Sequence, residues 1–160
     1  MYQHEPHEEE QDDFSLKQLF LPLTPYKAIT IFVFVGFLVF ANMLFNSFVW
    51  DDIAYITKNP GVHQLDIPSL FGPNMFNSGP FYRPIPAVYF ATIYSLFGAN
   101  TFFFHLFQLL LHLVSTSLLF IFFRMFFKPA ISFFLALIFL VHPIQVESVS
   151  YIESVIVSHL

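Results

Sequence analysis

Ala28 to Trp50 is an unbroken run of 23 residues without a charge. As a helix rising 1.5 Å per residue it is about 34 Å long, enough to cross the hydrocarbon core of a bilayer. A soluble domain carries roughly 25% charged residues. This chain of 160 residues carries 11%, with 56% hydrophobic residues and 25 Phe. The low charge excludes an ordinary soluble fold, and the aromatic content excludes disorder. A cleavable signal peptide would have a shorter apolar core, a basic start and a small-residue exit. Here an acidic segment precedes the run, which leaves through Phe48-Val49-Trp50. We read 27–50 as an uncleaved first transmembrane helix with Trp50 at the far interface.

Thr101 to Phe123 is a second run of equal length, closed by Arg124 and Lys128. A third span is expected over 126–142, interrupted by His142-Pro143, and an amphipathic helix over 143–160. Lys and Arg set the orientation. With the N-terminus inside, Lys17, Lys27, Arg124 and Lys128 are cytoplasmic, and only Lys58 and Arg83 lie outside; inverting the chain reverses that ratio. The fold class expected is an all-α polytopic membrane protein with about three transmembrane helices, an extracytoplasmic loop over 51–100 and a cytoplasmic tail over 1–26. Six of the eleven acids (Glu5, Glu8, Glu9, Glu10, Asp12, Asp13) crowd that tail, which reads as solvated; a metal tract with His4 and His7 is the weaker reading. The net charge of −5 argues against nucleic acid as a partner. The absence of Cys removes disulfides, thiol nucleophiles and thiolate metal sites.

A loop of fifty residues is far longer than most connections, and this one is too apolar to be disordered. It opens with Asp51-Asp52 and runs through turn-rich segments to Tyr82-Arg83-Pro84. From Pro86 to Phe97, ended by Gly98, an apolar helix of about 18 Å is expected, too short to span. It reads as interfacial, with Tyr89 and Tyr94 at headgroup level.

Chemistry must come from the few polar groups in this frame. Asp51 and Asp52 suit a general base or a divalent-metal ligand; the plainer reading is a capping or interface-marking pair. Arg83 offers the guanidinium fork that suits phosphate or carboxylate, or else pairs with Asp52 or Asp66. His105, Gln108, His112, Ser115 and Thr116 recur as one polar stripe on the second span. Hydrogen bonding between packed helices explains most of them at least as well as a ligand site does. His105, near the loop end, is the candidate for function. Glu147 follows the His142-Pro143 break by about one helical turn, and Glu153 lies too far round the helix to share its site. No P-loop, Rossmann glycine pattern, zinc-protease spacing or serine triad is present.

The ordered set Trp50-Asp51-Asp52, Asn59-Pro60-Gly61-Val62, Tyr82-Arg83-Pro84, Phe104-His105-x-x-Gln108-x-x-x-His112 and His142-Pro143-x-x-x-Glu147 resembles the N-terminal part of GT-C glycosyltransferases. It is most similar to the O-mannosyltransferases with transmembrane and tetratricopeptide-repeat regions, and to their bacterial relatives, over Val49 to Ser154. The chain departs from the family at Gln108, where members usually have Asn, and in lacking a Gly-Arg-x-Asp segment after His142-Pro143. The resemblance implies transfer of a mannose-like sugar from a polyprenyl- or dolichyl-phosphate donor to a protein or glycan acceptor, outside the cytoplasm. It implies Asp51 as base, with Asp52 assisting or holding a divalent metal ion, the one cofactor considered. Arg83 and His105 would bind the donor phosphate, and Glu147 with His142 would provide a second acidic contact or an acceptor contact. The missing helices and repeats lead us to expect a fragment. The alternative is an inactive remnant or a small membrane scaffold that retains family residues. A transporter subunit is disfavoured, because no pair of broken helices marks a midplane site.

Overall fold

Thr24 starts the first helix. Its hydroxyl accepts the Lys27 N–H at 3.3 Å, and Pro25 takes the first helical position, where no N–H is needed. In the computed structural model, which describes residues 23–72 and 82–152, helix α1 spans Pro25–Phe40 and tightens into a 3-10 turn at Ala41–Phe45. Helical structure thus stops five residues short of Trp50. Asn46 is already extended, and its N–H closes the turn onto the Met43 carbonyl at 3.0 Å. The acidic tail lies outside the described residues.

A π-helical turn at Ile53–Thr57 follows, then α2 (Pro60–His63), α3 (Ile67–Leu70), α4 (Pro84–Phe97), α5 (Thr101–Phe123), α6 (Pro129–Val141) and α7 (Ile144–Ser150). No strand occurs among the described residues. Asn100 caps α5 through the Phe102 N–H at 3.1 Å. Helix α6 begins at Pro129 and not at 126, because a residue before proline is driven to extended backbone, as Lys128 is. Pro25–Phe45 and Thr101–Phe123 are each long and apolar enough to cross a membrane. Helices α6 and α7, bent by 62° at the His142-Pro143 break, make a third span if the pair is counted as one. The protein is an all-α, multi-pass helical membrane protein.

Helix α5 packs against both α1 and α6. Phe32 ties the three together: its ring stacks on Phe133 at 5.2 Å and meets the edge of Phe120 at 5.6 Å. Gly36 allows the close approach, since a Cβ there would fall 2.5 Å from Leu113 Cδ2. The opposite faces carry Phe34, Leu38, Val114, Leu118, Phe134 and Ile138 outward, which suits a lipid solvent and not water.

The segment after α1 builds a second layer on the bundle end where α1 finishes and α5 begins. Ile56, Val62, Leu70, Ala87, Phe90 and Ile93 share its core with Phe104 of α5 and Ile152. Asn59 caps α2 by accepting the Gly61 N–H at 3.0 Å. His63 stacks on Tyr94 at 4.2 Å and bonds the Ile56 carbonyl at 3.0 Å, tying α2 to α4. Helix α4 starts two residues before the expected Pro86 and, at about 21 Å, is too short to span. Burial pushes the Tyr89 phenol well up, so it stays protonated.

Candidate functional site

The chain turns sharply at Trp50. The Val49 N–H donates to Asp52 Oδ2 at 3.2 Å, and the Asp52 N–H donates back to the Val49 carbonyl at 3.0 Å. This reciprocal closure has the logic of a capping box. Between the two, Trp50 sits at φ +49°, a left-handed backbone that a bulky side chain rarely adopts. The adjacent carboxylates therefore have different surroundings. Asp52 is only 1% exposed and is bonded within the turn, whereas Asp51 is exposed. Asp52 shapes the bend; Asp51 is open to reaction.

Val49 and Trp50 form part of an open cleft of about 450 Å³ whose other lining residues are Glu147 and Tyr151. Two segments almost a hundred residues apart thus meet here, and the Ser150 hydroxyl donates to Met43 Sδ at 3.6 Å beside them. Glu147 reaches the cleft because α5 steers α7. Gln108 Nε2 donates to the Ser148 carbonyl at 2.8 Å, and His112 Nε2 donates to the Leu140 carbonyl at 3.1 Å. Leu140 lies in the last turn of α6, where carbonyls lack helical donors, and Pro143 can supply none. Gln108 and His112, one turn apart on α5, hold the two sides of the kink.

His142 acts locally, its Nδ1 accepting the Ile144 N–H at 3.2 Å. Arg83 is partly buried at the start of α4, which packs on α2 and α3 beyond the Asp51-Asp52 turn. His105 is 1% exposed. The Asn46 backbone lies beside its ring, but neither ring nitrogen has a hydrogen-bond partner, and Gln108 Oε1 also lacks one. Direct contact between His105 and a phosphate would require the seam around it to open. The expected polar stripe is only partly one face: Gln108, His112 and Thr116 point inward, while Ser115 is exposed and bonds its own Leu111 carbonyl. Glu153 lies outside the described residues. Among the described residues no three His, Asp or Glu side chains come together as metal ligands. Asp52 accepts a turn hydrogen bond through Oδ2 and is buried, so Asp51 is the more accessible carboxylate of the pair.

The turn at Trp50 and the α5 clamp on α7 were missed by sequence reasoning. Nothing local signals a left-handed tryptophan. The clamp had a signal, the four-residue spacing of Gln108 and His112, but not its target.

Over 133 residues the chain is 29% identical to Protein O-mannosyl-transferase TMTC3 of Mus musculus. The alignment covers 78% of this chain and 14% of that protein. The relationship is a distant homology to a membrane glycosyltransferase. No protein-family profile matches the chain, and no solved structure matches it. The resemblance read from the motifs is supported at this coarse level.

Proposed function

We propose that this chain carries the transfer site of a GT-C membrane glycosyltransferase of the O-mannosyltransferase type. In this reading a mannose-like sugar moves from a polyprenyl- or dolichyl-phosphate donor to an acceptor hydroxyl on the extracytoplasmic side. The observation that carries it is the open cleft in which Val49 and Trp50, the residues just before Asp51, meet Glu147 and Tyr151. The distant homology supports the same class. Asp51 takes the acceptor proton as the acceptor oxygen bonds to the anomeric carbon. The bond from that carbon to the phosphate oxygen breaks through an oxocarbenium-like transition state, and the electron pair leaves with the phosphate. Arg83 neutralises the growing negative charge, joined by His105 if the seam opens. His142 contacts the acceptor, and Glu147 supplies a second acidic contact, to the sugar. A donor with a lipid tail explains a site at the membrane edge.

A test is transfer of labelled mannose by membranes carrying the chain. Label should pass from polyprenyl-phosphate mannose to acceptor protein, and Arg83→Ala should raise the donor KM more than it lowers kcat. Equal labelling by membranes without the chain would overturn the proposal. The scaffold alternative draws support from Asp52, whose buried carboxylate serves the turn. It expects no labelling above that background.

A further inference from the structure

We propose that Trp50 is a stacking platform for a pyranose ring, and that with Glu147 and Tyr151 it forms the sugar subsite of the cleft. This inference rests on the glycosyltransferase reading. An interface anchor needs only an exposed indole near the headgroups, and ordinary backbone provides that. Trp50 is instead held at φ +49° by the bonds between Val49 and Asp52, with 84% of its surface exposed. Strained residues persist where their surroundings over-determine them, and they gather at ligand sites. The ring borders a shallow, open hollow, and the other side chains there are a carboxylate, a phenol and Val49.

A pyranose matches that set. One face of the ring presents C–H groups, an apolar plate that an indole covers well. Its rim presents hydroxyls, which donate to a carboxylate such as that of Glu147. The cleft volume of about 450 Å³ falls within the range of small-molecule sites. An acyclic polyol has the hydroxyls but no flat C–H face, so it lacks half of the recognition. Trp50 would thereby select a ring, while Glu147 reads its hydroxyl pattern.

Trp50 is the sole tryptophan of the chain, so its fluorescence reports on this position alone. The full chain in lipid nanodiscs is titrated with methyl α-D-mannopyranoside, with D-mannitol as the acyclic control. A saturable shift in emission is expected with the pyranoside and none with mannitol. Trp50→Asn removes the ring while tolerating the left-handed backbone. It should weaken binding of labelled methyl mannoside, measured by equilibrium dialysis, by roughly tenfold. Trp50→Phe should keep part of the affinity. Unchanged binding in Trp50→Asn would overturn the subsite. So would emission indifferent to the pyranoside but quenched by brominated lipid chains, the mark of a membrane anchor. Binding of polyprenyl-phosphate mannose separates the two levels. Donor binding with unaltered Trp50→Asn behaviour leaves the enzyme class standing and removes the subsite; absence of both donor and pyranoside binding in the wild type removes both.

Discussion

Asp51→Asn is expected to lower sugar transfer by about 10²- to 10⁴-fold, the range supplied by a positioned general base. Expression and membrane insertion should be unchanged. Asn copies the shape of Asp but cannot take a proton, and Asp51 is exposed, so the substitution leaves no buried partner stranded. Asp52 should behave differently. Its oxygen accepts the Val49 N–H and its side chain is buried, so Asp52→Ala removes the closure of the turn at about 1 kcal/mol. Asp52→Asn retains an acceptor oxygen and should preserve much of the bend. The initial rate of label transfer from the lipid donor, normalised to protein, checks both. Full activity in Asp51→Asn would show that another group takes the proton.

The second large effect is expected at the clamp on the kink. Gln108→Leu removes the side-chain hydrogen bond to the Ser148 carbonyl, and His112→Leu removes the one to the Leu140 carbonyl. Losing such a hydrogen bond costs about 0.5–1.5 kcal/mol. The catalytic loss should be larger than that alone implies, because α7 carries Glu147 and a shift of about 1 Å can lower a rate by roughly 100-fold. Thermal midpoint in detergent and transfer rate should fall together in the double variant. Ser115→Ala, on the exposed side of the same helix, should change neither. A double variant with wild-type rate would show that the direction of α7 does not govern the site.

The membrane architecture was legible because the bilayer imposes its demands on long stretches at once. The uncharged runs before Phe45 and Phe123 needed no tertiary information, and Pro129 and Asn100 announced their helix starts through general cap chemistry. The end of α1 was less legible, because Phe48, Val49 and Trp50 continue the apolar run after the backbone has left the helix. Composition records a preference for lipid, not where hydrogen bonding stops. At the site, Asp51-Asp52 and Glu147 could be singled out by residue type. Their inequality could not be read, since neighbouring identical side chains differ only in what folds around them. Burial of Asp52 depends on a turn with a tryptophan in an uncommon conformation, and α7 reaches the cleft through side chains about forty residues away.

Thiol accessibility tests the central claim most directly. The chain has no native cysteine, so Asp51→Cys, Arg83→Cys and Glu147→Cys each place one unique label. In sealed, correctly oriented membranes all three should react with an impermeant maleimide from the extracytoplasmic side, while Lys27→Cys and Lys128→Cys should react only after permeabilisation. Protection of position 51 until the membrane is opened, or labelling of 51 and 83 from opposite sides, would contradict a site at which acid and guanidinium serve one donor.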